Sequence, residues 1–289
     1  MMTEVHELKV PARVGVLGGG RMGAGIAHAF LLAGAQVVVV ERDAQAAEAA
    51  RERVERDLAK SLERGAFDGN FDELTERFAV SVDYSDFSDR QLVVEAVPEN
   101  WDLKVGALRA VEEQLGEEAW LASNTSSLSI DGLAESLERP SNFIGLHFFN
   151  PVPASKLVEV VQSQHSSAEL KDAARLWVEG LGKTPVVVND APGFASSRLG
   201  VAIALEAIRM VEEGVASPED IDNAMVLGYK FPIGPLALTD VVGLDVRLGI
   251  AEYLESQLGE RFAPPQLMRD MVARGELGRK SGKGFYDYS

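Results

Sequence analysis

Two polar side chains sit where their neighbours are apolar. His147 interrupts the run Phe143–Phe149, Glu159 interrupts Leu157–Val161, and both are equidistant from Pro153 in the chain-breaking Asn150-Pro151-Val152-Pro153. If the chain folds back around Pro153, the two come opposite each other. An ionised carboxylate among apolar neighbours is costly unless paired. A buried imidazole–carboxylate pair holds one tautomer and strengthens the ring as a base, which is what taking a proton from an alcohol requires. On the residues alone two readings of His147 stay open, a hydrogen-bonded core histidine or a general base. The other histidines have ordinary settings: His6 in the N-terminal tail, His28 within a helix, His165 in a polar loop.

A second constellation is the glycine cluster Gly18-Gly19-Gly20-Arg21-Met22-Gly23, preceded by the apolar run Val14–Leu17 and followed by an amphipathic stretch, Ala24–Ala33, a Gly34 stop and Val37–Val40. The spacing predicts a strand, a turn, a helix and a second strand. Gly18 would let the chain turn tightly, Gly20 would let a pyrophosphate approach bare backbone, and Gly23 would let the helix lie close on the strand. The N–H groups of Arg21, Met22 and the rest of the first turn would then face the phosphates, helped by the helix dipole. Glu41 follows the second strand, where a carboxylate can accept hydrogen bonds from both hydroxyls of an adenosine ribose. A 2′-phosphate there would meet like charge, so NAD is favoured over NADP, with Arg42 weakening that preference slightly. A glycine-rich turn in an ordinary βαβ unit is the alternative.

Further polar groups gather at predicted strand ends. Gln91–Val97 reads as a buried strand running into Pro98-Glu99-Asn100, and in a doubly wound sheet ligands collect at such carboxyl ends, which places Glu95, Ala96 and Glu99 near a cofactor. Ala119–Ala122 opens into Ser123-Asn124-Thr125-Ser126-Ser127, either a helix-capping loop or a set of donors aimed at a ligand. Lys60 and Arg64 end a long helix predicted from Asp43 to Arg64; its charges, Arg53/Asp57 and Lys60/Arg64 among them, form a solvated face or border a ligand groove.

The composition narrows the partners. A net charge of −17 argues against nucleic acid and anionic membrane, since both need a basic face. Any polyanionic ligand must therefore be held by local donors against a repulsive field. With no cysteine, disulfides, thiol catalysis and thiolate metal sites are excluded, and no metal is expected. No apolar run approaches a membrane span, and Met1–Pro11 carries no signal-peptide pattern, so a cytoplasmic location is expected.

The elements that must position these groups fall into two blocks. Met1–Ala12 has no periodicity and is expected to fray or lie on the surface. A short helix at Asn70–Phe78, a strand at Ala79–Val82, a helix at Trp101–Leu115 and a strand at Pro185–Val188 complete an α/β block. The boundary is placed at Asn189–Gly193, giving domains 1–190 and 191–289. Beyond it the pattern is helical: Ser197–Glu213, apolar on several faces; Ser217–Leu227, capped by Ser217; then Leu236–Val241, Asp245–Leu258 and Pro265–Arg274. The tail Gly278–Tyr286 concentrates positive charge.

In this order and spacing, Gly18–Gly23, Val94–Asn100, Ser123–Ser127, Gly145-Leu-His-Phe-Phe-Asn-Pro151, Lys156–Glu159, Pro192-Gly-Phe194, Gly234-Pro with Asp240 and Gly243-Leu-Asp245, and the Gly-Arg-Lys-Ser-Gly-Lys-Gly-Phe-Tyr tail resemble the short-chain L-3-hydroxyacyl-CoA dehydrogenases, 3-hydroxybutyryl-CoA dehydrogenases included. The resemblance covers nearly the whole chain. It implies an α/β fold, an N-terminal Rossmann-like doubly wound sheet with an all-helical C-terminal domain that forms a homodimer. It implies oxidation of an (S)-3-hydroxyacyl-CoA to a 3-oxoacyl-CoA, with His147 taking the 3-hydroxyl proton, Glu159 pairing with it and Ser126 hydrogen-bonding the reacting oxygen. Glu41, Glu99, Lys104, Ser126, Asn150 and Lys280 would lie around NAD, and Lys60 and Arg64 would meet the CoA phosphates. One position departs from the pattern. Where the family usually carries an asparagine that contacts substrate, this chain has Ser197. A dicarboxylic relative such as 3-hydroxyadipyl-CoA, or a free hydroxy acid of the gulonate or carnitine kind, is the alternative substrate, and a non-catalytic NAD-binding protein the alternative function.

Overall fold

The glycine cluster opens a parallel sheet in the computed structural model of the chain, which describes residues 9–67 and 69–288. The expected fraying of Met1–Leu8, with His6, lies outside the described residues. Of the rest of that tail, Val10 is packed into the core instead. The chain divides into two compact units, 1–190 and 191–289.

The first unit alternates β1 (Arg13–Leu17), α1 (Arg21–Leu32), β2 (Gln36–Val40), α2 (Ala44–Glu63), α3 (Phe71–Thr75), β3 (Phe78–Ser81), β4 (Leu92–Glu95), α4 (Trp101–Glu112), β5 (Trp120–Ser123), α5 (Ile130–Glu135), β6 (Phe143–Phe148), β7 (Leu157–Gln162), α6 (Ala168–Gly180) and β8 (Thr184–Asn189). The strands form one eight-stranded sheet in the order β3-β2-β1-β4-β5-β6-β7-β8. Every neighbouring pair is parallel except β6 and β7. Strands covered on both faces read as continuous apolar runs, as Val37–Val40 and Leu92–Val94 do. The crossover helices start where side chains accept orphan N–H groups: Asp43 caps α2, Asn100 caps α4, Ser129 caps α5 and Ser167 caps α6. α5 and α6 have no counterpart among the sequence expectations.

The second unit holds α7 (Ser196–Glu212), α8 (Pro218–Asn223), α9 (Pro235–Val242), α10 (Leu244–Leu258) and α11 (Gln266–Ala273). Val201, Leu205 and Ile208 of α7 pack with Leu236, Leu254 and Met268. The expected single helix Ser217–Leu227 is in fact α8 continued by a π-helical turn, Ala224–Gly228. The tail departs from expectation too, for its charges are spent locally. Lys280 pairs with Asp245, Lys283 with Glu276, and Arg279 lies over the Tyr288 ring. Asp240, almost fully buried, holds the tail by accepting from the Phe285 and Tyr286 N–H groups, each at 3.0 Å.

Candidate active site

The loop between β1 and α1 has the geometry the glycines imply. Gly18 adopts φ +88°, a conformation side chains disfavour, and a Cβ on Gly23 would collide with the Gly18 carbonyl. Gly20 faces open space and gives α1 no side-chain cap, so the first-turn N–H groups at Arg21 and Met22 are presented to the loop's exterior. Gly19 also has a role that the motif alone does not assign. A side chain there would strike Ala50 of α2, so the bare backbone seats the second helix against the loop.

Glu41, one residue past β2, accepts from Gly19 N–H at 2.7 Å and from Arg42 N–H at 3.1 Å. The Arg42 side chain pairs with Asp43, 3.0 Å away, and lines the same cleft as Glu41. Arg53, expected on a solvated face beside Asp57, instead reaches the Gly19 carbonyl at 3.3 Å, which puts a cation under the glycine loop. Lys60 and Arg64 are exposed on α2, and Lys60 stands 4.0 Å from Asp57. A cleft of about 520 Å³ is lined by Gly18, Gly20, Met22, Glu41, Ala96 and Leu103 among others. Open glycine backbone, an uncapped helix start and a carboxylate at the second strand end fit a dinucleotide.

Behind the cleft lies a buried polar network. Glu95, fully buried at the end of β4, accepts from Val97 N–H at 2.6 Å, Lys104 Nζ at 2.7 Å and Ser123 Oγ at 2.6 Å. Lys104, expected around the cofactor, is 1% exposed and spends its ammonium on Glu95, the Val97 carbonyl and Glu99 Oε2 at 3.4 Å. It therefore meets the site through Glu99. One oxygen of Glu99 gathers the last three residues of the serine loop, accepting from Thr125 Oγ1 (2.6 Å), Ser126 N–H (2.9 Å), and Ser127 N–H and Oγ (both 3.0 Å). Burial pushes the Glu99 carboxyl up, but Lys104 and these donors outweigh it and hold the group below the usual carboxylate range. Ser126 is left exposed, its hydroxyl making no hydrogen bond among the described residues.

β6 and β7 run antiparallel with His147 directly opposite Glu159, as the fold-back around Pro153 requires. Nδ1 lies 2.8 Å from Glu159 Oε2, with the histidine 5% exposed and the glutamate fully buried. Against a carboxylate that nitrogen carries the proton, which leaves Nε2 as the basic nitrogen of the neutral ring. Phe149 packs on the imidazole with ring centroids 4.5 Å apart. Asn124 accepts from Phe148 N–H at 2.9 Å and so ties the serine loop to the strand that carries His147. Asn150 is exposed just beyond that strand. His28 is less ordinary than its sequence setting implies. It is buried in α1, its Nε2 is 2.8 Å from Ser61 Oγ of α2, and burial pushes its pKa down. In the second unit Ser197 is half-buried in the first turn of α7, and Lys280 is engaged by Asp245.

Known proteins resemble the chain over nearly its whole length. Residues 13–191 match the family described as 3-hydroxyacyl-CoA dehydrogenase, NAD binding domain, and residues 193–288 match its C-terminal domain. A probable 3-hydroxybutyryl-CoA dehydrogenase of Deinococcus radiodurans is 43% identical over 96% of this chain and 100% of its own. The mitochondrial hydroxyacyl-coenzyme A dehydrogenase of Rattus norvegicus is 40% identical over 95% of this chain and 90% of its own. The crystal structure of (S)-3-hydroxybutyryl-CoA dehydrogenase from Ralstonia eutropha superposes with a TM-score of 0.92 at 40% identity, covering 96% of this chain and 99% of that one. With both of its domain types matched in sequence and the fold matched throughout, the chain belongs to the 3-hydroxyacyl-CoA dehydrogenase family.

Proposed function

We propose that the chain oxidises a short (S)-3-hydroxyacyl-CoA to the 3-oxoacyl-CoA with NAD, His147 acting as general base. The paired His147 and Glu159 carry this reading: a buried imidazole held at Nδ1 has one nitrogen to offer an alcohol proton. Bound NAD supplies the hydride acceptor. His147 Nε2 takes the hydroxyl proton as the C3 hydrogen leaves as hydride, and Glu159 stabilises the imidazolium that forms. Ser126, free at its hydroxyl and fixed at its N–H by Glu99, orients the reacting oxygen. Gly18, Gly20, Gly23 and the first turn of α1 hold the pyrophosphate, and Glu41 the adenosine ribose.

Ala96 lines the cleft and Asn124 belongs to the donor loop at the end of β5, which supports both beside the cofactor; the roles of Asn150 and Lys280 there, and of Ser197, Lys60 and Arg64 toward the substrate, are supported by the family resemblance alone. So is a homodimer formed through the second unit. Its exposed Leu199, Leu227 and Tyr229 offer apolar surface for one. No helix among the described residues is long and apolar enough to cross a membrane, and the cytoplasm is the proposed location. A keto or hydroxy acid without the thioester is the second reading, favoured by likeness to a diketoreductase structure at TM-score 0.85 and 28% identity.

The test is NADH oxidation against acetoacetyl-CoA, longer 3-oxoacyl-CoAs and free acetoacetate. Thioester turnover with NADH and little with NADPH is expected. NADH binding without thioester turnover would overturn the reading and bring the free acids forward.

A further inference from the structure

The turn that joins β6 to β7 is held from outside by one lysine. Lys183, the residue before β8, is half-buried and donates from Nζ to two carbonyls of that turn, Val152 O at 2.7 Å and Ser155 O at 2.5 Å. No carboxylate pairs with it among the described residues, although the chain carries 45 acidic side chains. Burial pushes the Lys183 pKa down, and two charge-assisted hydrogen bonds offset the cost of that burial. The ammonium is spent on the shape of the turn. Within the turn, Ala154 N–H and Ser155 N–H both donate to the Pro151 carbonyl at 3.0 Å.

The same turn is seated on α1. Val152 is 2% exposed and fills the space that Gly25 leaves, for a Cβ on Gly25 would lie 2.8 Å from Val152 Cβ. Gly25 stands two residues past Gly23, in the helix whose first turn lines the cofactor cleft. The Lys183 charge reaches that helix too. Burial pushes the His28 pKa down, Asp57 opposes the fall, and Lys183 adds to it. His147 lies five residues before Val152 and Glu159 four after Ser155, so the turn closes the hairpin that carries the pair. We infer that Lys183 is a positioning residue for the reaction: by gripping Val152 and Ser155 it sets the hairpin of His147 and Glu159 against the helix that holds the cofactor. A misplacement of about 1 Å can cost about 10²-fold in rate, and one side chain anchored on two carbonyls at once limits such motion. The inference rests on the dehydrogenase reading above and deepens it by naming what aligns its base.

The experiment measures the single-turnover rate of NADH oxidation by acetoacetyl-CoA in the native enzyme, in Lys183→Met and in Lys183→Arg, beside the NADH Kd from nicotinamide fluorescence. Lys183→Met is expected to lower the rate about ten- to hundred-fold while NADH Kd stays within about two-fold of native. Lys183→Arg keeps donors for the two carbonyls and is expected to retain more of the rate. An unchanged rate in Lys183→Met overturns the proposal. So does a matching loss of NADH affinity, which would mark a general loosening of the unit, and so does equal damage from Arg and Met, which would separate the effect from the two carbonyls. Should Lys183→Met fold poorly, Val152→Ala tests the same docking with Lys183 in place: a smaller loss of rate at native NADH affinity is expected, and an unchanged rate overturns the inference. Absence of all thioester turnover by the native enzyme would overturn the dehydrogenase reading and this one together, whereas an unchanged rate in the variants beside an active native enzyme overturns only this one.

Discussion

At the scale of single residues, the pair at 147 and 159 carries the proposed chemistry. Glu159 is fully buried, and its ionised form is tolerable there because His147 Nδ1 stands 2.8 Å away. Replacing His147 by Gln keeps a polar side chain of similar reach but removes the base. The expected loss in kcat is about 10²- to 10⁴-fold, read as the NADH absorbance change. Full activity in that variant would remove the histidine from the reaction. As the proposed base, His147 would have to be neutral for oxidation and protonated for ketone reduction, so the two directions are expected to show opposite pH trends in kcat/KM. Ser197 is the other position that the proposed function singles out. Ser197→Asn restores the family's amide and is expected to shift acyl-chain preference. If the ratio of kcat/KM across chain lengths does not move, the position takes no part in selection.

At the scale of elements, what the sequence makes legible and what it hides divide by the kind of contact. The His147–Glu159 register is legible because a symmetric fold-back around Pro153 depends only on counting residues. The αβ alternation around Gly18–Glu41 is legible because glycine spacing and apolar runs are local. α6 carries a readable signal, with Leu170, Ala174, Trp177 and Val178 buried at helical spacing behind a Ser167 cap, whereas α5, at six residues, is too short to show a period. Hidden entirely are contacts between distant stretches. Arg53 on Gly19 spans 34 residues and Ser123 on Glu95 spans 28, and nothing in a helix of mixed charges marks which arginine turns inward.

The buried network joining β4, α4 and β5 makes a stability prediction of its own. Lys104→Met strands the Glu95 carboxylate at 0% exposure and is expected to cost about 3–5 kcal/mol, lowering Tm by roughly 10 °C in thermal unfolding. A Tm within a degree or two of the native value would mean that water reaches Glu95. The α1–α2 contact predicts a pH effect. Because burial holds His28 below its ordinary pKa of 6.5 in the fold, the unfolded chain binds the extra proton as pH drops through that value. Stability is thus full above pH 6.5 and declines as pH falls toward the folded-state pKa. His28→Asn is expected to flatten the Tm-against-pH curve over that window, and an unaltered slope would assign the acid sensitivity elsewhere.

At the scale of the whole molecule, composition changes from strand-like to helix-like at Asn189–Gly193, and the chain divides into compact units 1–190 and 191–289. Charge is the property that acts at this range. A chain of net charge −17 must admit a CoA thioester that is itself polyanionic, and the tail that looks basic in sequence has Lys280 and Lys283 neutralised by Asp245 and Glu276. The long-range field therefore opposes encounter while the attractive donors act only at contact. Screening shortens the reach of that field to about 8 Å at physiological ionic strength, and encounter rates follow it. Between about 0.01 M and 0.15 M salt, kcat/KM for acetoacetyl-CoA is expected to rise relative to that for the uncharged N-acetylcysteamine thioester, which feels no net field. A fall in that ratio would mean that nearby cations, Lys60 and Arg64 first among those exposed, govern capture over the rest of the surface. Charge reversal at those two positions would then be the variant that separates local from global electrostatics.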